Sequence, residues 1–206
     1  KSGPETFGNR IGFWQEKGVE VESGGHKLQS FLDADLIIPS PGVPYIPELD
    51  EARKRGREIL SEIELAYRFL NGKIVGITGT NGKSTTATLT HKILQDGGLR
   101  SYLAGNIGTP LIQFAENSRP DDIYVTELSS FQLRYTQKFR AAISVFLNIS
   151  ADHLDWHRDF DDYYQSKKKL ILTQKEEDTA ILNRDYPQVW ALRKQGNFKV
   201  YAFSQR

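Results

Sequence analysis

The run Gly76-Ile-Thr-Gly-Thr-Asn-Gly-Lys-Ser84 constrains this chain more than any other stretch. The apolar residues 74–77 read as a strand leading into it, and residues 84–96 read as the helix after it. Strand, glycine turn, Lys-Ser and helix is the order a phosphate-binding loop needs. Glycines let backbone N–H groups turn toward an anion, and the helix presents its positive N-terminal end to the same charge. Lys83 then reaches the outer phosphates of a nucleotide, and the Ser84 hydroxyl ligates Mg²⁺. The loop and the start of its helix make Gly79, Thr80, Asn81, Gly82, Lys83, Ser84 and Thr85 the nucleotide-contacting candidates. The spacing departs from the strict four-residue pattern: five residues separate Gly76 from Gly82, and Ile77 occupies the strict first-glycine position. The reading assigns an inward-turning role to all three glycines, 76, 79 and 82.

The rest of the chain supplies alternating strands and helices. Residues 18–22 alternate like a short strand, residues 35–39 read as a buried strand, and Ser40-Pro-Gly-Val-Pro44 reads as a turn. Residues 47–57 are helix-compatible, and residues 61–70 carry apolar positions at helical spacing, closed by Asn71-Gly72. Further strands are expected at 100–103, 122–126, 142–147, 179–183 and 198–203, with a helix at 163–172. This order predicts an α/β fold with a mainly parallel sheet. At 206 residues the chain holds one large domain or two small ones. Lys and Arg number 27 against 26 for Asp and Glu, a net charge of +1 that gives no support for nucleic-acid or membrane-surface binding. No apolar run approaches the ~18 residues of a membrane span. With no cysteine, disulfides, thiolate zinc sites and cysteine nucleophiles are excluded, and a cytoplasmic location fits. The chain also has no methionine, and Lys1 reads as the middle of something longer.

Three further constellations fall at strand ends or just after them, where open α/β sheets place ligands. Glu127 opens Glu-Leu-Ser-Ser-Phe-Gln-Leu133; a carboxylate at a strand end across from a phosphate loop suits Mg²⁺, although such a residue is commonly a helix N-terminal acid. Asn148-Ile-Ser-Ala-Asp-His-Leu-Asp-Trp-His157 packs Asp152, His153, Asp155 and His157 together. The His153–His157 spacing of four suggests a zinc pair, but the zincin pattern needs Glu after the first His and Leu154 stands there. The cluster fits Mg²⁺ or phosphate positioning better. In Gly105-Asn-Ile-Gly-Thr-Pro110, Asn106 is either a plain loop residue or a substrate hydrogen-bond donor. Lys167-Lys-Lys169 reads as a solvated charge run in which at least two lysines face water.

Gly76–Ser84, Gly105-Asn-Ile-Gly108, Glu127-Leu-Ser-Ser-Phe-Gln132 and Asp152-His-Leu-Asp155 together resemble the Mur ligase family, most closely its D-glutamate-adding branch. Ser40-Pro-Gly-Val-Pro44 and Glu62-Ile-Glu-Leu65 extend the likeness over essentially the whole chain. The resemblance implies a Rossmann-like N-terminal remnant at 1–71 that binds the UDP substrate. A P-loop-type central ATPase domain follows at 72–206, itself incomplete. The implied activity is ATP-dependent amide-bond formation through an acyl phosphate, with UDP-N-acetylmuramoyl-L-alanine and D-glutamate as substrates, in a monomer. Lys83 and Ser84 would hold ATP and Mg²⁺, Glu127 would share the first Mg²⁺, and His153 would ligate a second. Asn106 and Ser129 would contact the muramoyl substrate. Lys167 would be carbamylated and orient the metal site, with Lys168 as runner-up.

Against that family pattern the chain starts after the Gly-rich element that receives UDP and lacks the C-terminal domain that contacts D-glutamate. Little turnover is expected of these residues alone. The alternatives are another Mur-type or folylpolyglutamate-type ligase, a non-catalytic ATP-binding module and, more distantly, a zinc hydrolase.

Overall fold

A computed structural model describes residues 11–43, 46–152 and 156–205. Its first unit is small. Helix α1 (Leu28–Asp33) precedes β1 (Leu36–Ile37), and α2 (Pro47–Lys54) crosses to β2 (Glu58–Ile59), which pairs parallel to β1. Helix α3 (Glu62–Tyr67) then leads into the main sheet. The strand expected at 18–22 does not form; residues 19–22 are irregular and Val19 is exposed, with no partner strand to bury it. The strand expected at 35–39 shrinks to two residues and is not buried, since Leu36 and Ile38 face solvent.

The main sheet is six-stranded and entirely parallel, in the order β4-β5-β3-β6-β7-β8. Its strands are β3 (Lys73–Thr78), β4 (Ser101–Gly105), β5 (Ile123–Glu127), β6 (Ile143–Phe146), β7 (Thr179–Asn183) and β8 (Lys199–Phe203). The chain leaves β3 to build β4 and β5 on one side, then returns to build β6, β7 and β8 on the other. That reversal beside β3 opens a crevice at the carboxyl ends of the strands. The helices are α4 (Lys83–Asp96), α5 (Ser130–Arg134), α6 (Phe160–Leu172) and α7 (Pro187–Ala191).

Alternation along β3 sorts the two faces. Val75 and Ile77 pack with Ala87 of α4, Val125 and Val145. Ile74 joins Ile63 and Ala66 of α3, Tyr124, Leu133 and Leu170 of α6. Gly76 lies on this second face in mid-strand, paired with Thr126 and Ser144. A Cβ there would sit 2.9 Å from Leu170 Cδ1, 3.0 Å from Leu128 Cδ1 and 3.2 Å from the Ala141 Cβ. Gly76 therefore admits α6 close to the sheet, and the assignment of its N–H to the phosphate turn is wrong. The turn begins at Gly79, so only Thr80 and Asn81 separate its first glycine from Gly82.

Helix α3 is tied to the main sheet by a buried carboxylate. Glu64 is fully buried, and its Oε2 accepts from the backbone N–H groups of Gln137 (2.8 Å), Lys138 (3.0 Å) and Phe139 (2.8 Å). These donors lie between α5 and β6, so the bond network fixes the segment that carries α5. Replacing one oxygen by an amide leaves buried donors facing a donor. Glu64→Gln is expected to destabilise the chain by about 1–3 kcal/mol, read as a lower urea midpoint with an unchanged slope.

Candidate functional site

The loop after β3 is held from across the sheet. Thr80 N–H and Asn81 N–H both donate to Asn148 Oδ1, at 3.0 and 2.8 Å, and Asn148 Nδ2 donates to the Asn81 carbonyl at 2.9 Å. Asn148 follows β6, the strand beside β3, so sheet pairing sets the clamp. Thr80 Oγ1 lies 3.1 Å from the Tyr163 hydroxyl and accepts from Ser150 N–H at 3.0 Å. Gly82 caps α4 with φ 83°, a left-handed conformation that a side chain would strain. The result is a preformed glycine turn opening directly onto a helix N-terminus, which suits a polyphosphate.

Lys83 and Lys167 approach this loop from two elements. Lys83 Nζ donates to the Thr80 carbonyl at 2.9 Å. On α6 the buried positions Tyr163, Ser166, Lys167, Leu170 and Ile171 form one stripe at helical spacing. Lys167 is thus drawn inside, 1% exposed, with Nζ donating to the Gly79 carbonyl at 2.9 Å. Burial first, and the Lys83 charge second, push its ammonium down to about 7. Of the charge run, Lys167 is the one inside this site. Lys169 is not solvated as expected: it donates to the Arg134 and Thr136 carbonyls.

Glu127 ends β5 next to the loop and is 2% exposed. Asn106 Nδ2 donates to its Oε1 at 2.7 Å, while its Oε2 is buried without a hydrogen-bond partner among the described residues. A buried, unpartnered carboxylate oxygen is costly in a folded protein, and a cation would relieve it. Lys83, Ser84, Asn106, Glu127, Ser129, Ser130, Phe131 and Lys167 line one cleft of about 310 Å³. Ser129 lies in this cleft and also caps α5 through a reciprocal bond pair with Gln132. On the other side of the loop, Asn81, Gly82, Thr86, Asn148, Asn183 and Tyr186 are among the residues lining a cleft of about 680 Å³. Thr86 rather than Thr85 faces it; Thr85 is exposed on the first turn of α4. His153 and Asp155 lie outside the described residues, so the structure says nothing of the expected second metal ligand.

His157 is engaged on both ring nitrogens. Nδ1 lies 3.0 Å from Asp162 Oδ2 and Nε2 lies 2.8 Å from Ser130 Oγ. With Nδ1–H donating to the carboxylate, Nε2 accepts from the Ser130 hydroxyl and orients it beneath the 310 Å³ cleft. Neither nitrogen is left for the zinc pair weighed above, and no cage of three or more His, Cys, Asp or Glu side chains forms among the described residues. Sequence reasoning missed Asn148 as a loop clamp, and it missed Tyr163, Ser130 and Asp162. The capping signature Ser129-x-x-Gln132 was readable and locates α5.

The profile described as the Mur ligase middle domain matches residues 77–206. This chain belongs to the Mur ligase family. The Mur ligase segment is 45% identical over 192 residues to the UDP-N-acetylmuramoylalanine–D-glutamate ligase of Koribacter versatilis, covering 93% of the chain and 42% of the relative. The ligase of the same name from Acidobacterium capsulatum is 44% identical over 191 residues, covering 92% and 41%. The chain thus spans about two fifths of these relatives' length. Solved structures share the fold. UDP-N-acetylmuramate:L-alanyl-γ-D-glutamyl-meso-diaminopimelate ligase from Neisseria meningitides superposes with TM-score 0.58 at 18% identity, covering 88% of this chain and 62% of that one. MurF ligase from Thermotoga maritima, in complex with ADP, superposes with TM-score 0.54 at 17% identity, covering 84% and 51%. Among the described residues, no helix of this Mur ligase segment is long and apolar enough to cross a membrane.

His157 gives this segment a pH signature. Burial holds its imidazole below the ordinary histidine value, against the opposing pull of Asp162. The unfolded chain therefore takes up a proton first as pH falls. Stability is expected to be fully present above pH ~6.5 and to decline below it. In His157→Gln that part of the decline should vanish, as measured by thermal melts between pH 5 and 8, the window in which histidine titrates.

Proposed function

We propose that this chain is the ATP-binding part of a ligase that adds D-glutamate to UDP-N-acetylmuramoyl-L-alanine in peptidoglycan precursor synthesis. The observation that carries the reading is the single cleft joining Lys83 and Ser84 of the phosphate loop to Asn106, Glu127, Ser129 and Lys167. The names of the Koribacter and Acidobacterium relatives support the amine and the acceptor. The ADP complex of the Thermotoga neighbour supports a nucleotide.

On this reading the ATP phosphates lie along residues 79–84, and the nucleoside extends into the 680 Å³ cleft beyond Asn81 and Thr86. The muramoyl-alanine carboxylate enters the 310 Å³ cleft, with Asn106 and Ser129 as its polar contacts. Residues 1–71 serve the UDP-bearing substrate and residues 72–206 serve ATP.

The residues present fit a divalent cation: the Ser84 hydroxyl and the unpartnered Glu127 Oε2 share the cleft. Ser84 and Glu127 would hold a first Mg²⁺ and His153 a second, and such ions neutralise phosphate charge when bound. Lys167 fits the carbamate role because burial lowers its ammonium to about 7, and its neutral amine would add CO₂ at nitrogen and release a proton. The addition replaces a cation by an anion beside Lys83 and the metal ligands.

The substrate carboxylate attacks the γ-phosphorus and the bond to ADP breaks, leaving an acyl phosphate. Lys83 moves from the Thr80 carbonyl to the transferring oxygens and stabilises their charge. The D-glutamate amine then attacks the acyl carbon, phosphate departs, and the amine gives up a proton.

A chimera tests this. The chain replaces the matching segment of the Koribacter relative, and ADP formation is followed with UDP-N-acetylmuramoyl-L-alanine and each of several amino acids. Turnover dependent on D-glutamate is expected, and Lys167→Ala should lower kcat by about two orders of magnitude or more. No ATP-dependent turnover in the chimera, or an indifferent Lys167→Ala, would sink the proposal.

A further inference from the structure

A third polar cleft lies between the first unit and the main sheet, away from the phosphate loop. It measures about 260 Å³, and Arg53, Arg57, Arg134 and Lys169 line it together with Ile59 and Tyr135. Arg53 and Arg57 come from the end of α2 and the approach to β2; Arg134 and Lys169 come from α5 and α6. Four cations from four places in the sequence converge on one small space.

Their compensation is uneven. Arg134 has its carboxylate, Asp162, at 2.6 Å. Arg53, Arg57 and Lys169 have no ion-pair partner among the described residues. The acids that act on Lys169, Glu64 and Asp162, are already committed, one to three backbone N–H groups and the other to Arg134 and His157. Arg57 Nε is buried with no hydrogen-bond acceptor among the described residues. The Arg53 guanidinium stands 5.3 Å from the centre of the Tyr135 ring. Burial, then Arg53 and Arg134, hold the Lys169 ammonium down to about 8. The buried Arg57 Nε without an acceptor is costly, and an anion among these cations relieves it.

We propose that this cleft binds a small phosphate-class dianion, held by the Arg53 and Arg57 guanidiniums and the Lys169 ammonium beside the Tyr135 ring. Phosphate suits the site better than a lone carboxylate. Its two charges answer more of the excess, and its terminal oxygens serve donors on several sides, whereas a carboxylate offers one charge and two oxygens. Forked guanidiniums favour this geometry. Bound there, the anion bridges α2 to α6 and ties the first unit to the main sheet.

The phosphate loop also attracts phosphate, so the test uses Lys83→Ala as its background. Inorganic pyrophosphate and glucose 6-phosphate are titrated separately by calorimetry, with thermal melts in parallel. Both anions are expected to bind and to raise the melting temperature. Adding Arg53→Gln or Arg57→Gln should weaken binding by about tenfold. Arg53 is exposed, so Arg53→Gln carries the test if Arg57→Gln fails to fold. Tighter binding of glucose 6-phosphate assigns the site to an organic ester, and tighter pyrophosphate binding to the free ion. No binding of either anion, or binding indifferent to both arginine changes, overturns the proposal. Failure of the nucleotide reading would show separately, as ADP binding unaffected by Lys83→Ala.

Discussion

The site depends on one clamp, the Asn148 side chain across the residues that follow β3. Its amide takes two loop N–H groups and returns one donor to the loop. Each such bond contributes only about 1 kcal/mol net, but together they fix backbone that would otherwise be a floppy glycine turn. The clamp exists because β3 and β6 are neighbours in the sheet, and Gly76 lets α6 pack close against the same strand. Fold and site are therefore one construction: the same helix that fills the space over Gly76 with Leu170 delivers Lys167 to the Gly79 carbonyl.

Charges of both signs gather around the loop. Lys83 and Lys167 both line the cleft, and the Glu127 carboxylate keeps one oxygen without a hydrogen-bond partner among the described residues. Asn106 holds the other oxygen and so aims the unpartnered one. An anionic phosphate with a divalent cation resolves each of these at once, which is the reason to read the arrangement as a phosphoryl-transfer site rather than as a structural ion pair.

Much of this was legible in the residues. The parallel α/β order, the central strand and the helix after the loop follow from periodicity and glycines, as does the place of Glu127 at a strand end, while the roles of Glu127 and Asn106 rest on the family resemblance. What failed to read did so for physical reasons. Gly76 looks like a loop glycine because sequence shows a missing side chain but not the Leu170 that fills its place. Strand β2 is two residues long with a charged approach, too short for any period. Asn148 and His157 act on groups far away in the chain, through contacts that only the sheet order creates. The three adjacent lysines look alike in sequence; α6 turns one to the loop and another to the basic cleft.

The central claim is that residues 79–84 form a working phosphate site. Calorimetric titration of ATP with Mg²⁺ into the chain and into its Lys83→Ala variant tests it most directly. The account predicts measurable binding that weakens by about tenfold or more without the lysine charge. Equal affinity in the two proteins would contradict it.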